Sequence, residues 1–229
     1  MPQTDSHSYD PANPDITARI AAELVAHEGI VREAYRDSVG VWTWSVGLTD
    51  ASGHKVGRYR DNPQSLTHCL EIFIWALRRN YLPEVLAAFG DHQPAEHELA
   101  AALSFHWNTG GILRAQWMKL AMEGSSLRAR SAMLNWARPV SLLPRRRKEQ
   151  ALFFDGKWSH DGNALVYDVA KPSYRPINGR QLPIMASLGI ILGTGDDAKE
   201  AWLELPLSNG ESCTASGDGN WFARLFGKG

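Results

Sequence analysis

Residues 28–49 read EGIVREAYRDSVGVWTWSVGLT, and this stretch decides the fold. It opens on Glu28-Gly29, passes through Ala34-Tyr35 and Asp37-Ser38, and reaches the run from Val41 to Thr49. Gly, Thr, Val and Trp dominate from residue 33 to about 60, which predicts a small antiparallel sheet with turns at Gly40 and near Ser52-Gly53. Strict alternation along 41–49 places Trp42, Trp44, Val46 and Leu48 on one face. It places Val41, Thr43, Ser45, Gly47 and Thr49 on the other, a low-profile and mostly polar face suited to lining a groove.

Upstream, Asn13-Pro14 offers a helix opening, and Ile16, Ile20 and Leu24 recur every fourth residue through His27. Glu28 continues that row and Gly29 supplies the stop. An acid at the end of an apolar stripe can be held half-buried at a cleft edge, a setting that favours the protonated carboxyl. Glu23 lies off the row and reads as a surface residue, and Glu33 as part of an exposed link.

Downstream, helices are expected at 65–79, 82–89, 95–107, 112–122, 125–136 and 144–154, with Thr67, Ser125 and Ser126 as caps. A small sheet followed by a helical body is an α+β arrangement. After Asp155-Gly156 the chain becomes rich in Gly, Pro, Ser and Asn, so residues 159–229 read as an extension or a small appended domain. Residues 1–14 read as a flexible tail and 15–158 as the main domain.

A glycosidic bond is hydrolysed by an acid beside the leaving oxygen and a carboxylate that directs water or attacks the sugar. Glu28, Asp37 and Thr43 fit such a set, one at a helix end and two on a returning hairpin. Taken singly, Asp37 is equally a turn cap and Thr43 a β-former. Their spacing, Glu-x8-Asp-x5-Thr, resembles that of the phage-type lysozymes of glycoside hydrolase family 24. Two later segments resemble the same family in the same order. One is Ala101-Ala102-Leu103-Ser104-Phe105-His106-Trp107-Asn108-Thr109-Gly110. The other runs from Leu134-Asn135-Trp136 through Ser141-Leu142-Leu143-Pro144-Arg145-Arg146 to Glu149 and Leu152-Phe153.

The resemblance spans residues 15–158 and implies a lysozyme-like two-lobed fold, a β-hairpin lobe facing a mainly helical lobe. It implies cleavage between N-acetylmuramic acid and N-acetylglucosamine in peptidoglycan, with inversion. Glu28 would be the general acid, with Asp37 and Thr43 placing the attacking water. Trp42, Trp44, Ser45 and Asn108 are the candidate substrate contacts, and no cofactor or metal is implied. The sequence departs from the family at Ser45 and Ser141, where Gly is common, and at Leu48, where His is common. A lytic transglycosylase acting on the same polymer and a non-catalytic wall-binding or particle protein are the alternatives. Retention of Glu28, Asp37 and Thr43 favours hydrolysis.

The chain has a formal charge of -1 and is 44% hydrophobic, which gives no basis for nucleic-acid binding. Residues 15–158 hold 18 Lys and Arg against 15 Asp and Glu, a mild basic excess compatible with an anionic wall polymer. Arg145–Lys148 read as wall contacts or intramolecular pairs. Cys69 and Cys213 read as reduced thiols, and the eight histidines form no metal set. The first residues lack a secretory pattern and no apolar run reaches membrane-spanning length. The expectation is a monomer that accumulates in the cytoplasm and reaches the wall by holin-type release or with a phage-like particle.

Overall fold

The computed structural model describes residues 9–193. The readings of residues 1–8, of Cys213 and of the extension beyond Gly193 lie outside the described residues.

Helix α1 spans Ala18–Glu28, and Ile16, Ile20, Leu24 and Glu28 all face inward. It starts later than Asn13-Pro14 suggests. Thr17 is the cap, its hydroxyl accepting from Ile20 N–H at 3.1 Å and donating to Glu96 Oε1 at 2.6 Å. That double use ties the helix start to the helical body, while Asn13 is spent in a turn onto the Asp10 carbonyl. Glu23 is buried, contrary to its reading as a surface residue. Its carboxylate accepts from Ser159 N–H (2.9 Å), Ser159 Oγ (2.6 Å) and His160 N–H (3.1 Å), and His27 Nε2 lies 3.4 Å away. Burial works against the charge, yet the bonds from His27 and Ser159 hold Glu23 down to about 2. The chain after residue 158 covers this flank of α1, which periodicity within α1 has no means of showing.

Strands β1 (Ile30–Arg36), β2 (Trp42–Ser45) and β3 (Leu48–Thr49) pair antiparallel, with Tyr35 opposite Thr43 and Thr43 opposite Thr49. The run 41–49 is therefore two strands, not one. Ser45 (φ +55°) and Gly47 (φ +95°) bend the chain back, and Gly47 adopts that backbone at no steric cost. Glu33 sits within β1, largely buried and ion-paired to Lys171, rather than in an exposed link.

The helical body comprises α2 (Leu66–Ala76), α3 (Leu82–Phe89), α4 (Glu96–Thr109), α5 (Gln116–Met122), α6 (Ser126–Leu134) and α7 (Leu143–Asp155). Ser65, not Thr67, caps α2 by accepting from His68 N–H at 3.0 Å. A π turn at Leu77–Tyr81 joins α2 to α3 without a break at Asn80. Gly110 closes α4, which packs against α1 and α7.

The chain then returns to the sheet. Strand β4 (Asn163–Ala170) pairs parallel with β1 at Ile30–Val166 and Val31–Tyr167. Strand β5 (Arg175–Pro183) folds back antiparallel, giving the order β3-β2-β1-β4-β5. A parallel partner needs a long crossover, and here the whole helical body supplies it. Helix α8 (Met185–Gly193) packs on α1 and α2, and Ala164, Val166, Ile184, Leu188 and Ile191 join the same apolar core as Ile20 and Leu24. Residues 163–193 are thus part of the domain's own sheet and core. No helix among the described residues is long and apolar enough to cross a membrane.

Candidate functional site

Glu28 is the last residue of α1 and is fully buried. Arg145, from α7, donates from Nη1 to Glu28 Oε1. The same guanidinium donates from Nε to Glu149 Oε1 at 2.9 Å and from Nη2 to the Ser104 carbonyl at 3.1 Å. Ser104 Oγ closes the circuit onto Glu149 at 2.7 Å. Arg146 bridges the other oxygen of Glu149 and Oδ1 of Asn108. Burial resists charging Glu149, but Arg146 and Arg145 beside it hold its carboxyl below the usual carboxylate range. Two arginines and two glutamates therefore balance inside the protein, anchoring the end of α1 to α4 and α7. Glu28 Oε2 is also buried and has no hydrogen-bond partner among the described residues.

Asp37 follows β1 directly. Its Oδ1 accepts from Val39 N–H (3.0 Å) and Val41 N–H (2.8 Å), and its own N–H donates to the Val41 carbonyl at 3.1 Å. Thr43 Oγ1 donates to that same carbonyl at 3.3 Å. The hairpin thus brings Asp37 and Thr43 together at Val41, in a turn whose register β1 and β2 set. Asp37 does cap this turn, and the cap fixes which way its carboxylate points.

The remaining candidates separate. Trp42 is half-buried beside the Asp37 turn, with the Arg36 guanidinium 4.3 Å from its ring centroid. Trp44 is core: fully buried, stacked on Tyr59 at 3.8 Å, its Nε1 donating to the Arg32 carbonyl. Asn108 is buried behind Glu28 as the acceptor for Arg146. Arg145 and Arg146 pair internally, whereas Arg147 and Lys148 are exposed. The role of Arg145 at Glu28 went unread in the sequence, although an apolar-to-basic switch at a helix start was its signal.

Ser45 is fully buried, with Oγ donating to the Cys69 carbonyl at 2.8 Å. This bond offsets the left-handed backbone that makes Gly the common residue there. Ser45→Ala keeps the strain and loses the bond, an expected loss of about 1 kcal/mol. Ser45→Gly loses the bond but relieves about 1 kcal/mol of backbone strain, so it should be nearly neutral. Melting temperatures should fall in the order Ser, Gly, Ala, and an Ala variant as stable as Gly would contradict the strain argument.

No group of three or more His, Cys, Asp or Glu among the described residues is placed to hold a metal ion. The family model described as Phage lysozyme matches residues 25–150, which is more than half of the chain and includes Glu28, Asp37, Thr43 and Arg145. No curated protein matches. Among solved structures, a P22 lysozyme is 23% identical, with a TM-score of 0.52 over 62% of this chain and 99% of that one. An endolysin from Escherichia coli O157:H7 phage FAHEc1 is 18% identical, with a TM-score of 0.51 over 62% and 94% of the two chains. At these identities the two structures speak for the fold alone.

Proposed function

The chain belongs to the phage lysozyme family and is a lysozyme-type glycoside hydrolase of peptidoglycan; from that premise we propose that Glu28 protonates the leaving oxygen while Asp37 and Thr43 direct the attacking water. The state of Glu28 carries this reading. Arg145 occupies Oε1. Oε2 is left with no partner among the described residues, so it is the oxygen that can meet the glycosidic oxygen. Water then attacks from the opposite face of the sugar, where a carboxylate can take its proton. Asp37 and Thr43, joined at Val41, are the acceptors suited to orient it.

Trp42, half-exposed beside Asp37, supplies an apolar edge for a sugar ring on the hairpin side. The substrate is the linkage from N-acetylmuramic acid to N-acetylglucosamine.

The test is to digest isolated sacculi with the full chain and identify the released ends by mass spectrometry. Reducing muramic ends support hydrolysis. Anhydro-muramic ends would move the assignment to lytic transglycosylase, and binding without cleavage would move it to a wall-binding protein.

A further inference from the structure

Strands β4 and β5 lie beyond the residues that match the family, and the hairpin they form does more than extend the sheet. We propose that its tip, through Lys171 and Tyr174, is a positioning element for Asp37; this rests on reading Asp37 as the carboxylate that directs water.

Strand β4 pairs with β1 only at Ile30 and Val31. The hairpin meets β1 again at the far end, where Arg36 N–H donates to the Tyr174 carbonyl at 2.7 Å. Arg36 is the residue before Asp37. Its cross-strand partner is Trp42, and the Tyr174 ring meets Trp42 edge-on at 5.0 Å between centroids. One residue of the added hairpin therefore touches both strands of the Asp37 turn at one register position.

The tip is itself held firmly. Tyr174 OH donates to the Asp61 carboxylate at 3.0 Å, and Lys171 Nζ donates to Asp61 at 2.6 Å and to Glu33 of β1. Tyr174 N–H closes the turn onto the Ala170 carbonyl at 2.7 Å. Tyr174 adopts φ +53°, a left-handed backbone that non-glycine residues keep only where surrounding contacts impose it. The Tyr174 hydroxyl and the Lys171 ammonium are thus engaged with protein carboxylates, which makes both residues supports.

The need for such a support follows from how the two carboxylates are mounted. Glu28 is fixed to α4 and α7 through Arg145. Asp37 rides on the turn between Arg36 and Trp42, and Tyr174 touches both of those residues. The distance between acid and carboxylate therefore depends on the end of β1 staying in place. A displacement of about 1 Å at a reacting group can cost up to a hundredfold in rate.

The test compares Lys171→Met/Tyr174→Gly with the wild type and with Tyr174→Phe. Glycine accepts φ +53°, so the turn survives while the side-chain links are removed. On sonicated peptidoglycan the double variant should lose about tenfold or more in kcat with KM changed less than about twofold, and Tyr174→Phe should keep most of the rate. Hydrogen exchange should quicken at residues 36–41 and stay unchanged in α4 and α7. In an Asp37→Asn background the tip substitutions should cost no further rate.

An equal rate loss in both backgrounds, a loss carried by KM, or unchanged exchange at 36–41 would each overturn the proposal. If Asp37→Asn is as active as wild type, the reading of Asp37 has failed. The exchange measurement then still decides, independently, whether the tip holds the strand end.

Discussion

Glu28→Gln is expected to slow cleavage of peptidoglycan by about 10²–10⁴-fold while the protein still folds. Glutamine has the shape of glutamate, and its carbonyl oxygen can still accept from Arg145 Nη1, so the anchor of α1 to α7 is kept in part. What it lacks is a proton to give. The other buried glutamates among the described residues are already engaged. Glu23 is held by Ser159 and His160, Glu33 by Lys171, and Glu149 lies between Arg145 and Arg146. The rate should be measured at saturating sacculi beside a circular-dichroism melt of the same preparation. Retention of more than about a tenth of the rate by folded protein would mean that Glu28 serves only as the anchor.

The sequence was most legible where one period governs one element. The four-residue row from Ile16 to Glu28 is buried throughout as its spacing suggests, although Ala21, Ala22, Glu23, Val25 and His27 are buried as well. The order of hairpin and helices was readable for the same reason. Legibility ended where a residue's surroundings come from distant chain. Glu23 looks exposed within α1, but Ser159 and His160 cover it from more than 130 positions away. Strand β4 carried no cue that it would join β1, since a parallel pair leaves no hairpin turn between its members.

The site divided along the same line. Glu28, Asp37 and Thr43 stand within sixteen residues, and it is the resemblance of their spacing and of two later segments to the family that names them together. The alternation rule failed at Ser45 because a turn at Val46-Gly47 cuts the run, and its only local signal was one glycine in an otherwise strand-like stretch. Asn108 and Arg145 were visible as residue types but not as partners. Asn108 supports Glu28 at second hand, through Arg146, Glu149 and Arg145, a chain of contacts assembled from three helices.

That chain yields the largest expected effect on stability. Arg145→Met should destabilise the protein by about 3–5 kcal/mol, because removing one member of a buried ion pair leaves its partner charged and dry. For a chain of this size that is a fall of roughly 10 °C in melting temperature. Glu149 keeps Arg146 in this variant, so the carboxylate deprived of its cation is Glu28. Arg145→Lys should recover little, because one ammonium lacks the fork that reaches Glu28, Glu149 and the Ser104 carbonyl at once. The decisive arm is Arg145→Met in the Glu28→Gln background. There the remaining Glu149–Arg146 pair is neutral and no buried charge is orphaned, so the same substitution should cost less, with a coupling of about 1–3 kcal/mol. Additive losses in the two backgrounds would mean that Arg145 stabilises the protein by packing against α4, and that Glu28 owes its place to the end of α1 alone.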